Sequence, residues 1–269
     1  MRDPARASDL ERTGATLHVG DVTDAATLKG AGEGIDVAYF LVHAMASGGG
    51  FAERERQGAR NFAQMAKREG VERVIYLGGL GDDSVSEHLR SRHEAAKVLA
   101  TYGPPLTYFR AAMVVGVGSE SFRTLRYLVG RLPVMITPSW LRTLTQPIGV
   151  DATIEYLRRA PEVAESVGRE VQIGGPQVLS YDAMLDRMAV AMGKREPLRV
   201  PVPFITPWLS ALWLGLVTPV DTKVARPLVE GLTTPTVVTD PSGAKPFGVK
   251  PESFDESLRR ALEEEARGE

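Results

Sequence analysis

Four histidines, at positions 18, 43, 88 and 93, are the side chains of this 269-residue chain that could exchange a proton near neutral pH. None sits in an H-E-x-x-H helix, so their spacing does not point to a zinc hydrolase. The chain has no cysteine, which excludes thiolate catalysis, disulfides and cysteine-held metal and leaves the redox compartment open. It also lacks a G-x-S-x-G elbow and a G-K-[ST] phosphate loop. What remains is a backbone site. In 71–83, VERVIYLGGLGDD, the apolar run Val74 to Leu77 stops at Gly78-Gly79 and an acidic turn. Such a run reads as a strand buried on both faces, the centre of a parallel sheet. Open α/β sheets bind ligands at the C-terminal ends of their strands, and a missing side chain lets a ligand approach the backbone. A tight loop with no ligand fits the same residues.

The elements around that strand alternate in type. FAERERQGARNFAQMAKREG, from Phe51 to Gly70, sets Phe51, Phe62 and Met65 among charges with glycine at the stop, as an amphipathic crossover helix does. Upstream, ASDLERTG reads as a short helix and ATLHV as a strand. GDVTD, Gly20 to Asp24, is a turn that caps a second short helix, and IDVAYFLVH is a strand ending at His43. AMASGGG, 44–50, is a flexible loop. Downstream, 84–103 reads as a helix with Leu89, Ala96 and Leu99 inward, and LTYFRAAMVVGVG as a strand. In 119–133, Phe122, Leu125, Leu128, Val129 and Leu132 share one helical face, stopped by Pro133. MITPSWLRTLTQP is irregular, Asp151 caps a helix over DATIEYLRRA, and REVQIGGP is a strand.

Past residue 175 the rhythm changes. Ser180 starts a helix whose Met184, Leu185, Met188 and Met192 face a core. LRVPVP, the apolar stretch 203–220, a helix near 222–232, the strand TVVTD and a final helix follow. Ser253-x-x-Glu256 is a capping box for that last helix. The stretch 203–220 has no charge, but Pro207 and Pro219 bracket too few residues to span a bilayer, for which roughly 20 are needed. It reads as a buried helix or pocket lid; a membrane-surface contact through Trp208 and Trp213 is the minority reading.

Length and composition fit one large α/β domain with an appended lobe. Charged residues are 25%, hydrophobic ones 43%, and the formal net charge is −2, so no field for nucleic acid or an acidic membrane is built in. The N-terminus has no apolar signal segment, which makes a cytoplasmic location the expectation.

Taken together, GDVTD, DVAYFLVHAM, RVIYLGGLG, LRSRHEAAKVL, TYFRAAMVVGVGSESFRTLRYLV, LPVMITPSW, QPIGV, IGGP and VPVPFITPWLS resemble the atypical short-chain dehydrogenase/reductase family, in its NmrA-like and YbjT-like, nucleotide-sugar-epimerase-related branch. The resemblance spans nearly the whole chain. It implies a Rossmann-like parallel sheet flanked by helices over residues 1–175, with 118–147 contributing to a small mixed C-terminal substrate lobe at 176–269. It implies NADP or NAD as cofactor, a small-molecule substrate, and an oxidoreductase or epimerase-like activity. A non-catalytic dinucleotide sensor or assembly factor is the alternative. Proteins of this type carry a first strand and a Gly-rich loop that hold the pyrophosphate; the chain begins after them, so its sheet is expected to lack one strand, one helix and the second strand.

By the same resemblance, Arg2 would pair with the 2′-phosphate of NADP, against a frayed terminus as the competing reading. Gly20, Asp21 and Val22 would form the adenine-contacting turn, and Leu41, Val42 and His43 the strand end beside the ribose. Short-chain dehydrogenases use Ser, Tyr and Lys, the last two spaced Y-x-x-x-K. Here Gly78-Gly79 stand at the Ser position, and one register puts His88 at the Tyr and Arg92 at the Lys position; another gives His93 and Lys97. His88 and Arg92 are taken as the catalytic candidates, with Arg92 also able to hold a ribose or phosphate; a solvated helix face competes for either histidine. Arg110 would face the cofactor or substrate cleft, and Tyr127, Trp140, Gln146 and 203–216 would form a lid. Lacking a neighbour between sheet halves, the strands at 15–19 and 71–77 are expected to promote self-association, making a homo-oligomer a possibility.

Overall fold

A computed structural model describes residues 13–42, 50–81, 86–131, 134–195, 198–201 and 232–268. The sheet that organises them has four parallel strands in the order β1-β2-β3-β8. These are β1 (Val37–Phe40), β2 (Arg73–Gly79), β3 (Leu106–Ala111) and β8 (Glu170–Ile173). Val74, Ile75 and Tyr76 on β2 are 0% exposed, as a central strand requires. The expectation that this strand would lack a neighbour fails, because β1 pairs with it on one side and β3 on the other.

Residues 15–20 correct another expectation. They form no strand; Val19 is 57% exposed, and the segment is tied down by His18 Nε2 at 2.8 Å from the carbonyl of Thr27. A short segment forms a strand only where another strand satisfies its backbone, and none of the described ones lies beside it.

Helix α1 (Phe51–Arg68) and helix α2 (Glu87–Tyr102) pack together on one face of the sheet. Small residues make this possible: Ala59, Ala63 and Ala66 on α1 meet Ala95, Ala96 and Leu99 on α2, over Phe40, Val74 and Tyr76. A Cβ at Gly103 would already lie 3.3 Å from that of Ala63. The helix stop expected at Gly70 holds, with φ 81° in the left-handed region.

The opposite face packs Ile75, Phe109, Val171 and Ile173 against helix α4 (Val150–Arg159) and Phe247. Asp151 does not cap α4 as expected. Gly149 is the cap, and Asp151 lies in the first turn paired with Arg260. At the start of β2, the buried guanidinium of Arg73 donates to Thr107 Oγ1 at 2.7 and 2.9 Å, to the carbonyl of Val163 at 3.2 Å, and to Ser166 Oγ.

A second core joins helix α3 (Glu120–Arg131), helix α5 (Tyr181–Ala191) and helix α6 (Phe254–Arg267). Phe122, Leu125, Leu128 and Val129 face it as their spacing demanded, with Met184, Leu185 and Met188 opposite. The capping box at Ser253 and Glu256 forms. Two stretches differ from expectation. The segment read as irregular contains β5 (Val134–Thr137), which pairs with β10 (Leu198–Pro201). TVVTD gives only a single bridge, Thr236 to Thr145. Residues 1–12, 43–49, 203–220 and 222–231 lie outside the described residues, and with them the first helix, the glycine loop, the apolar segment and the helix beyond it. Among the described residues no helix is long and apolar enough to cross a membrane.

Candidate functional site

The C-terminal ends of β1 and β2 and the N-terminal turns of α1 and α2 meet at one end of the sheet. Leu41 and Val42 follow β1 and are 47% and 45% exposed, an unusual place for two adjacent large apolar side chains unless something covers them. Helix α1 opens at Gly50, whose φ of 76° is left-handed and which offers no capping side chain. Helix α2 opens at Ser86, whose hydroxyl accepts from the amide of Leu89 at 3.4 Å.

One turn further on, Arg92 is half-buried, its guanidinium 3.5 Å from the carbonyl of Leu77 near the end of β2. Burial pushes the Tyr76 phenol up from its ordinary value, and the nearby Arg92 charge works against that rise. Beside them Glu55, on α1 and 4% exposed, accepts from Ser91 Oγ at 2.7 Å. Its other oxygen and the Tyr76 hydroxyl are buried without a hydrogen-bond partner among the described residues. His88 lies in the first turn of α2, four residues before Arg92.

Gly78 and Gly79 were read as openings for a ligand. Their bareness has a different physical cause. A Cβ on Gly78 would stand 2.7 Å from the Tyr108 ring, and one on Gly79 would stand 2.5 Å from a Leu89 methyl. The space each glycine leaves is filled by this chain's own side chains.

Arg110 likewise turns inward. Its Nε donates to the carbonyl of Gly79 at 3.2 Å, one terminal nitrogen donates to that of Gly81 at 2.5 Å, and the other pairs with Glu170 at 2.7 Å. It is a clamp on the loop that leaves the central strand. His93 completes the clamp, with Nε2 3.2 Å from the carbonyl of Gly81 and Nδ1 2.9 Å from the Tyr108 hydroxyl. That Nε2 also stands 3.2 Å from a terminal nitrogen of Arg110, so the imidazole, the guanidinium and the Tyr108 hydroxyl form one network around the Gly81 carbonyl. Burial, and next the stacked Tyr76 ring 5.4 Å away, push the Tyr108 phenol up. The sequence placed His93 only as a shifted-register catalytic histidine and gave no sign that Tyr108 pairs with it. The signal was present in the order of the elements: α2 crosses over β3, so an inward residue of one meets an inward residue of the other.

The other candidates divide. Gly20, Asp21 and Val22 form a turn docked on α1. Asp21 Oδ1 accepts from the amide and hydroxyl of Thr23 at 2.9 and 2.8 Å, and Asn61 holds the carbonyl of Val22 at 2.8 Å. Asp24 caps the 3-10 turn Ala25–Leu28 as expected. Of the expected lid, Tyr127 lies under the Arg131 guanidinium, Trp140 packs on the second core, and Gln146 bridges the carbonyl of Gly175 and the amide of Val238. Arg2 and His43 fall outside the described residues. The structure therefore brings Arg92, Gly78, Leu41 and Val42 to one end of the sheet, where Arg110, opposite Gly78, is taken up by the packing.

A nicotinamide dinucleotide fits this end in part. The exposed pair Leu41 and Val42 offers apolar cover, and the uncapped start of α1 is the kind of terminus that takes phosphate. Arg92 supplies a cation beside it.

Comparison with known proteins bears on the same end of the molecule. Residues 1–112 match the family model described as NAD(P)H-binding. Among solved structures, the NADPH-dependent quinone oxidoreductase of Escherichia coli complexed with NADPH superposes with a TM-score of 0.76 at 20% identity, over 97% of this chain and 88% of that one. Triphenylmethane reductase of Citrobacter sp. gives 0.75 at 15% identity, over 97% and 88%. A nucleoside-diphosphate-sugar epimerase from Staphylococcus aureus gives 0.74 at 16%, over 96% and 88%. No curated protein matches the chain in sequence. The chain is thus an α/β protein of Rossmann type with an NAD(P)-binding domain.

Proposed function

We propose that the protein is an NADP(H)-dependent oxidoreductase acting on a small conjugated acceptor that needs no phenol acid from the enzyme. The observation that carries this reading is the state of the two tyrosines nearest the strand ends. Tyr76 and Tyr108 are 0% and 7% exposed and burial pushes both phenols up, so neither reaches an acceptor as a proton donor. Glycines stand at the family's Ser position. Simple ketones need a proton as hydride arrives, whereas a quinone or a cationic dye spreads or cancels the arriving charge by itself. The quinone and triphenylmethane reductases that share this fold act on acceptors of those two kinds, by their names.

When bound, the nicotinamide supplies the hydride. The chain's own part is to hold cofactor and acceptor together and to face the developing negative charge with Arg92. The acceptor lies against the lobe built from α3, α5 and α6.

The test is NADPH oxidation by the full chain with 1,4-benzoquinone, with crystal violet, and with a simple ketone. Turnover with either of the first two and none with the ketone supports the reading. Binding of NADPH with no turnover on any acceptor replaces it with the second reading, a dinucleotide sensor, which the missing Ser and Tyr favour. Absence of NADPH binding overturns both. Arg92→Ala separates the two roles further: an oxidoreductase loses kcat, a sensor only affinity.

A further inference from the structure

We propose a second ligand site, for small monocarboxylates with an apolar body, in the groove between α2, β3 and the edge strand β8. The groove has a volume of about 680 Å³, within the range of small-molecule sites. It runs along α2 from Gly81, just past the end of β2, to Pro105 and Gly168, which precede β3 and β8. Ala96, Ala100, Leu106 and Tyr108 supply an apolar lining.

The charges around that lining select the ligand. Lys97 stands on the α2 wall and Arg169 on the opposite wall, just before β8. Among the described residues neither takes part in an ion pair, whereas Arg110, which borders the same groove, is engaged by Glu170. Two open cations over an apolar floor fit an anionic head with a hydrocarbon body. Glu170 limits the head to a single negative charge, since its carboxylate borders the same space and repels phosphates and other polyanions. Gly168, with φ 70° and open space where a side chain would stand, leaves the mouth of the groove clear beside Arg169.

The site does not depend on the cofactor reading, so it is tested without NADPH. Sodium benzoate is titrated into the full chain at low salt, following the amide NMR signals of Lys97, Gly168 and Arg169, with benzyl alcohol and inorganic phosphate as controls. Benzoate is expected to shift these signals saturably and the controls are not. Lys97→Ala and Arg169→Ala, both exposed positions that leave the core intact, should each weaken benzoate roughly fivefold, and added salt should weaken it in the parent chain. Three results would overturn the proposal: no saturable shift, equal binding of benzyl alcohol, or unchanged affinity in both variants.

Discussion

Gly78 and Tyr108 occupy one position between them: a Cβ added to Gly78 would lie 2.7 Å from the Tyr108 ring and 2.9 Å from its hydroxyl. The ring is fixed by stacking on Tyr76 and by its bond to His93, so it cannot swing away cheaply. Gly78→Ala should therefore destabilise the protein by about 1–3 kcal/mol, the cost of overpacking a core. Tyr108→Leu alone should also destabilise, by loss of the ring and its bond. Combined, the two should cost less than their sum, because the second removes the clash that the first creates. Chemical denaturation of the four proteins measures this; strict additivity would mean the ring moves aside freely.

The same pair shows what could and could not be read from the chain. The apolar run and glycine stop at 74–79 located the central strand, and the spacing in 51–70 and 84–103 located the helices that cover it, because burial on one face imposes a period the sequence must carry. The purpose of the glycines was not visible. A glycine needed for a ligand and a glycine needed for a neighbouring ring look alike in sequence, and only the register of β2 against β3, Gly78 opposite Arg110, distinguishes them. Arg110 was misplaced for a related reason. The resemblance put it in the cofactor or substrate cleft, but its long side chain reaches sideways to two carbonyls that no periodicity encodes. The residues at 15–19 had the composition of a strand, yet pairing is a property of two segments, and composition reports on one.

Arg110 ties the carbonyls of Gly79 and Gly81 to the sheet, so its removal should loosen the loop before it unfolds the domain. In Arg110→Met the amide of Leu80, which donates to the carbonyl of Ala111 at 2.8 Å, should exchange with solvent about tenfold faster or more, while amides in the middle of β2 keep their protection. Hydrogen exchange read by NMR separates the two. Uniformly faster exchange across β2 would mean that Arg110 supports the sheet as a whole and not the loop.

Arg73 is a buried cation that relies on neutral acceptors. Burial lowers its pKa, and Thr107, Val163 and Ser166 accept its protons at the point where β2 begins. Arg73→Met removes the charge but strands those acceptors in a dry site, at a cost of about 3 kcal/mol. Arg73→Lys should recover less than half of it, since an ammonium cannot span the fork of acceptors that the guanidinium reaches. A denaturation midpoint for Arg73→Lys equal to that of the parent would show that charge, and not geometry, is what the site requires.

Glu69, at the end of α1, gives the protein an acid-sensitive joint. Burial alone would raise its pKa. Bonds from Arg68 and from the amides of Gly32 and Gly30, at 2.7 and 3.0 Å for the two amides, outweigh it and hold the carboxyl below its ordinary value of 4.5. The ionised form is thus worth more in the folded protein than in the unfolded chain. That stability is fully present above pH 4.5 and is lost as pH falls through the depressed folded value. Glu69→Gln should cost about 1–2 kcal/mol at neutral pH, because a neutral amide serves the two N–H donors less well and offers Arg68 no charge. The gap between parent and variant should then close below pH 4, as the parent's carboxyl takes up its proton. Parallel urea titrations across this range check the sign, and a gap that widened on acidification would mean that Glu69 is held protonated in the fold.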